Sequence, residues 1–130
     1  MTHPNVDLMR NAFEAMMAGD MAPMSELLAD DATLHVPGTS SLSGDYVGKE
    51  DILTRWFAPG MPEWLTSWES EIHAILADDE HAVGLVRNAV GRGGETFQLD
   101  SVFVCHVVDG KLTEGWVVPV DQAVFDAVWR

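Results

Sequence analysis

The chain has 130 residues, 47% of them hydrophobic, and a formal net charge of −14. That size and composition give one globular domain with one core, spanning 1–130, and exclude a disordered chain. Seven basic residues cannot form a phosphate-binding stripe, so neither nucleic acid nor an anionic membrane is expected as a partner.

The opening "MTHPNVDLMR" lacks the basic start and apolar stretch of a signal peptide, and no apolar run is long enough to span a membrane. One cysteine, Cys105, allows no internal disulfide. These features predict a cytoplasmic protein, with Cys105 in "SVFVCHVV" a small buried hydrophobe.

Val6, Met9, Phe13, Met16 and Met17 fall at helical spacing and predict a first helix that stops near Gly19. Asp20 begins a second helical pattern, "MAPMSELLAD", with Leu27 and Leu28 turned inward. "ATLHVP" reads as a strand. Its alternation puts Ala32, Leu34 and Val36 on one side, Thr33 and His35 on the other. A Gly/Ser-rich loop follows, and "GKEDILTRWFA" gives a third helix carrying Ile52, Leu53, Trp56 and Phe57.

Beyond Pro62 the pattern becomes extended. "TSWESEIHAILA", "AVGLVRNAVGR", "TFQLDSVFVCHVV" and "KLTEGWVVPV" read as a four-strand meander, with Asp109-Gly110 its strongest hairpin signal. "DQAVFDAVWR" closes as a short helix. Helices followed by a meander predict an α+β fold. Three helices cannot cover both faces of such a sheet, and its many valines predict a homodimer on the uncovered face.

Four segments carry a resemblance to a known family. They are "AFEAMMAGDMAPMSELLADDATLHVPG", "YVGKEDILTRWF", "HAILADDEHAVGLV" and "DGKLTEGWVVPVDQAVFDAVW", together nearly the whole chain. The sequence resembles the nuclear transport factor 2-like superfamily, in its branch of SnoaL-like polyketide cyclases and ketosteroid isomerase-like proteins. The resemblance implies a cone-shaped curved antiparallel sheet wrapped around N-terminal helices (a cystatin-like α+β barrel). It also implies an apolar pocket open at one end, a dimer through the outer sheet face, and chemistry without a cofactor. One or two carboxylates, often with a histidine or tyrosine, sit in such pockets.

Transferred residue by residue, the resemblance makes His35 of "HVPG" look into the cone as a general acid, base or hydrogen-bond donor; the bland reading is a hydrogen-bonded core histidine. Asp121, after "GWVVPV", matches the proton-abstracting base of SnoaL-like cyclases and is equally an N-cap for the last helix. Where relatives carry a Glu and a His two apart, this chain has Ser101 and Phe103. Leu99, Ser101, Phe103 and Cys105 share one face of that strand; Asp100, Val102, Val104 and His106 share the other, and the first set facing the pocket would leave it without its usual acid-base groups.

Trp56 and Trp116 are the expected pocket walls, with Phe13 and Met17 from the first helix, and Tyr46 supplies a hydroxyl at the mouth or packs there. An apolar aromatic lining suits a small hydrophobic ring molecule. Arg87 binds a carboxylate or pairs at the sheet surface. Five scattered histidines and a lone cysteine give no metal-site spacing.

The function these residues imply is cofactor-free acid-base catalysis, as isomerase, cyclase or dehydratase, on a small hydrophobic carbonyl compound. Asp121 is the base and His35 the oxyanion donor. The alternatives are a non-catalytic binding module of the same fold and an epoxide hydrolase using Arg87 between carboxylates.

Overall fold

The computed structural model describes residues 3–130. Helix α1 (Pro4–Ala18) starts with proline in its first turn and the His3 ring accepting from Asn5 N, and ends at Gly19 in the left-handed conformation (φ 66°). Its buried side, including Met9 and Phe13, lies on strands β3 (Leu65–Ala77) and β4 (His81–Arg92). Burial of each such side chain stabilises the fold by about 1.5–3 kcal/mol. The approach is close because Gly84 has no side chain: a Cβ there would lie 2.8 Å from Ile72 Cδ1 and 3.3 Å from Met9 Sδ.

Helix α2 (Met21–Leu27) is shorter than its pattern predicts. Leu28 is extended (φ −91°, ψ 136°) and already pairs with Leu112, so β1 (Leu28–Val36) begins where a helix was expected. The glycine-rich loop holds a further strand, β2 (Gly44–Val47), antiparallel to β1. Three residues of α-helix, α3 (Lys49–Asp51), then widen into a π-helical stretch at Ile52–Phe57. The predicted strand over 96–108 breaks in two, β5 (Glu95–Gln98) and β6 (Ser101–Val108). At the break the Asp100 carboxylate accepts from Asn88 N and Gln98 Nε2, in place of ladder partners. Strand β7 (Lys111–Pro119) and helix α4 (Gln122–Val128) complete the chain.

The strands form one curved, open sheet in the order β2-β1-β7-β6-β4-β3, with β5 paired to β4. The expected antiparallel cone is therefore mixed: β1 and β7 run parallel, since β1 precedes the meander and returns to its far edge. Registers Leu34↔Gly115↔Cys105 and Val86↔Ser101 define the concave face. His35↔Trp116↔Val104↔Val83 defines the convex face. The helices pack on the concave side, which holds the core.

Candidate functional site

The cone encloses two adjoining chambers. The inner one, about 100 Å³, lies between Met9, Phe13, Trp56, Phe103, Cys105 and Gly115. The mouth chamber, about 240 Å³, is bordered by Met17, Arg55, Trp68, Asn88, Ser101 and Trp129. Met16, Trp56, Phe57, Phe103 and Val117 belong to both and form the septum. The π-helical stretch supplies two of these, and such wide turns recur at functional sites.

Five predicted binding residues therefore meet at the cavity: Phe13, Met17, Trp56, Ser101 and Phe103. Of the two possible faces of β6, the one carrying Ser101, Phe103 and Cys105 is inward. Burial among apolar side chains pushes the Cys105 thiol up to about 12, so it stays protonated.

Four predictions need correction. Leu34 faces the core and His35 points to the convex side, outside the cone. Its Nδ1 lies 2.7 Å from Asp45 Oδ1 and its Nε2 lies 2.7 Å from Glu114 Oε2, so strands β2 and β7 clamp the ring from either side. The alternation was read correctly; the choice of inner side was not, because Ala32 and Val36 are the nearly sealed positions. Trp116 borders the inner chamber, but its ring is on the convex side, stacked 5.4 Å from His35 and edge-on to His106 at 5.0 Å. Tyr46 is 3% exposed and is core: it packs edge-on to Trp56, and its hydroxyl donates to Leu42 O at 2.5 Å. The alternating "GDYV" strand turns it inward behind the cavity wall.

Asp121 is exposed at the start of α4, and its Oδ1 accepts from Val124 N at 3.2 Å. That is its N-cap role; it borders neither chamber. Arg87 is also outside the cone, 3.7 Å from Glu71 across β3 and β4. His106 is convex, 3.7 Å from Glu114 and in edge contact with His81. The two bonds to Asp45 and Glu114, in that order, raise the pKa of His35 above its ordinary value against a smaller opposing effect of burial.

Sequence reasoning missed Asn88. It is 9% exposed, with its Oδ1 accepting from Ser70 Oγ at 2.6 Å and Trp68 Nε1 at 3.2 Å. The signal was an amide at an inward position of the apolar "AVGLVRNAVGR", overshadowed by its charged neighbour. Among the described residues no cluster of His, Cys, Asp and Glu could hold a metal ion, and no helix is long and apolar enough to cross a membrane.

The family profile described as SnoaL-like domain matches residues 9–115, which is most of the chain. The chain belongs to the SnoaL-like family. This SnoaL-like domain is similar to Bal32a from a soil-derived mobile gene cassette, at 26% identity and TM-score 0.82 over 98% of this chain and 97% of that one. It is also similar to an NTF2-like protein of unknown function from Burkholderia pseudomallei, at 19% identity and TM-score 0.83 over 98% of both chains. TerC, co-crystallised with polyporic acid, is similar at 20% identity and TM-score 0.79 over 95% of both. These likenesses show that the SnoaL-like domain has the fold of NTF2-like proteins, the α+β cone expected from the sequence.

Proposed function

We propose that this SnoaL-like domain binds a small hydrophobic ring molecule inside the cone and does not turn it over by acid-base chemistry. The observation that carries this reading is the cavity wall. The inner chamber is bounded by methionine, leucine and aromatic side chains, and among the described residues its one inward ionisable group is the protonated Cys105 thiol. Glu114 borders it, but its carboxylate is bonded to His35 on the convex side. The two chambers joined are of the size that accommodates a small organic ligand, roughly 300 Å³ or more. The co-crystal of TerC with polyporic acid supports an organic occupant for this fold.

Isomerase, cyclase or dehydratase chemistry by Asp121 and His35 requires their polar atoms to converge on the cavity. One caps α4 and the other is held between two carboxylates outside the cone, which weighs against that reading. Epoxide hydrolysis fares no better, because Arg87 pairs with Glu71 on the outer face.

The test is saturable quenching of tryptophan fluorescence by aromatic hydrocarbons and ketones, with native mass spectrometry for retained molecules. Trp56→Ala should weaken binding by about tenfold, the scale of one lost aromatic contact. Absence of saturable binding in the wild-type protein refutes the reading.

For the convex face the proposed occupant is a second copy of this chain. Leu76 and Val118 are exposed there, beside Val83, Leu85, Val102 and Val104, and among the described residues no helix packs on them. A homodimer would remove this apolar strip from water.

A further inference from the structure

The mouth chamber differs from the inner one by two buried polar side chains. Asn88 and Ser101 are 9% and 6% exposed, and both border the mouth. Val86 of β4 faces Ser101 of β6, so Asn88, two residues along on the same concave face, is a diagonal neighbour of Ser101.

The orientation of the Asn88 amide is fixed by its partners. An indole N–H can only donate, so the oxygen faces Trp68 Nε1, where it also accepts from Ser70 Oγ. The nitrogen is thereby turned toward Leu99 O, to which it donates at 3.0 Å. A carboxamide nitrogen carries two N–H groups, and Leu99 takes one. Neither the second N–H nor the Ser101 hydroxyl has a protein acceptor among the described residues. No enclosed side-chain polar atom there lacks a partner, so the partnerless Ser101 hydroxyl is not enclosed, and both residues border the chamber.

We infer that Asn88 and Ser101 form a donor pair that recognises one hydrogen-bond-accepting oxygen, a neutral carbonyl, on an otherwise hydrophobic ligand whose apolar body passes Phe57 and Phe103 into the inner chamber. This rests on the cavity-binding reading and adds the ligand's class and its direction. A carboxylate is the poorer occupant. Among the described residues Arg55 is the one cationic side chain at the mouth, and its guanidinium is held by Asp51 Oδ2 at 2.8 Å. A buried donor left unpaired by an oxygen-free ligand costs more than the hydrogen bond contributes.

The experiment compares two probes of matched shape, 4-acetylbiphenyl and 4-isopropenylbiphenyl, by fluorescence titration of the whole chain. Wild-type protein should bind the ketone about tenfold more tightly. Ser101→Ala should remove most of that preference while leaving the hydrocarbon's affinity in place. Asn88→Asp keeps the acceptor that Trp68 and Ser70 require and deletes the donor, and should do the same. Should Asn88→Asp fail to fold by circular dichroism, Ser101→Ala decides. Equal affinity for both probes in the wild type, or a ketone preference intact in Ser101→Ala, overturns the donor pair and leaves cavity binding standing. Binding of neither probe overturns both.

Discussion

Replacing His35 by glutamine isolates a stabilising contribution that depends on pH. Both ring nitrogens of His35 lie 2.7 Å from a carboxylate oxygen, Asp45 through Nδ1 and Glu114 through Nε2. The imidazolium donates to both; a neutral ring donates to one and leaves the other carboxylate without its proton. The ring is 28% exposed, Glu114 37% and Asp45 68%, so solvent screens both pairs, the outer one more. Partly exposed charge-assisted bonds of this kind contribute about 0.5–1 kcal/mol each, or about 1–2 kcal/mol for the clamp. The Asp45 bond, then the Glu114 bond, raises the folded-state pKa above the ordinary 6.5. The folded state therefore holds the proton more tightly than the unfolded chain. The contribution is complete below about pH 6.5 and is lost as pH rises through the elevated folded value. Urea unfolding of wild type and His35→Gln should differ by about 1–2 kcal/mol near pH 6 and by a few tenths near pH 9. A gap that is constant with pH, or that widens toward alkaline pH, refutes the clamp.

Asp121→Ala should cost about 1 kcal/mol in thermal or urea unfolding through loss of the α4 cap, and Asp121→Asn almost nothing, since asparagine caps equally well. Probe binding should be unchanged in both; a variant that folds normally and loses binding would return Asp121 to the site. Cys105, with its thiol pushed up to about 12, should resist iodoacetamide at neutral pH until the protein is unfolded, and rapid labelling of native protein would contradict the protonated, desolvated thiol. Val104→Glu, at the middle of the convex strip, should convert a dimer to monomer in sedimentation equilibrium. A wild-type monomer, or a dimer indifferent to this change, would exclude that face.

Much of the fold was legible because its signals are local. Helical spacing from Val6 to Met17, the Asp109-Gly110 turn and the valine-rich alternations each correspond to an element at nearly the expected place. What was not legible depended on partners distant in sequence. Leu28 is a helix former by pattern and a strand residue by its pairing with Leu112. "GDYV" becomes a strand only because β1 offers it an edge. The site divides the same way. Alternation separated His35 from Leu34, and Ser101 with Phe103 from Val102 with Val104. Which side is concave is a property of the whole sheet, and a strand with intermediate burial on both sides carries little trace of it. The donor role of Asn88 was beyond reach for a related reason: it arises from Trp68 and Ser70 on a neighbouring strand.

Gly115 gives the inner chamber an adjustable depth. It sits on the concave face of β7, where an added Cβ would meet Leu34 Cδ1 at 3.4 Å and Cys105 Sγ at 3.6 Å, ordinary contact distances. Its backbone does not require glycine, since it lies outside the set with positive φ. Alanine there would shorten the chamber by one methyl group without moving a strand, and valine would fill more of it. Ligand length could thus drift or be redesigned at a single codon, while the donor pair at the mouth and the convex face stayed as they are.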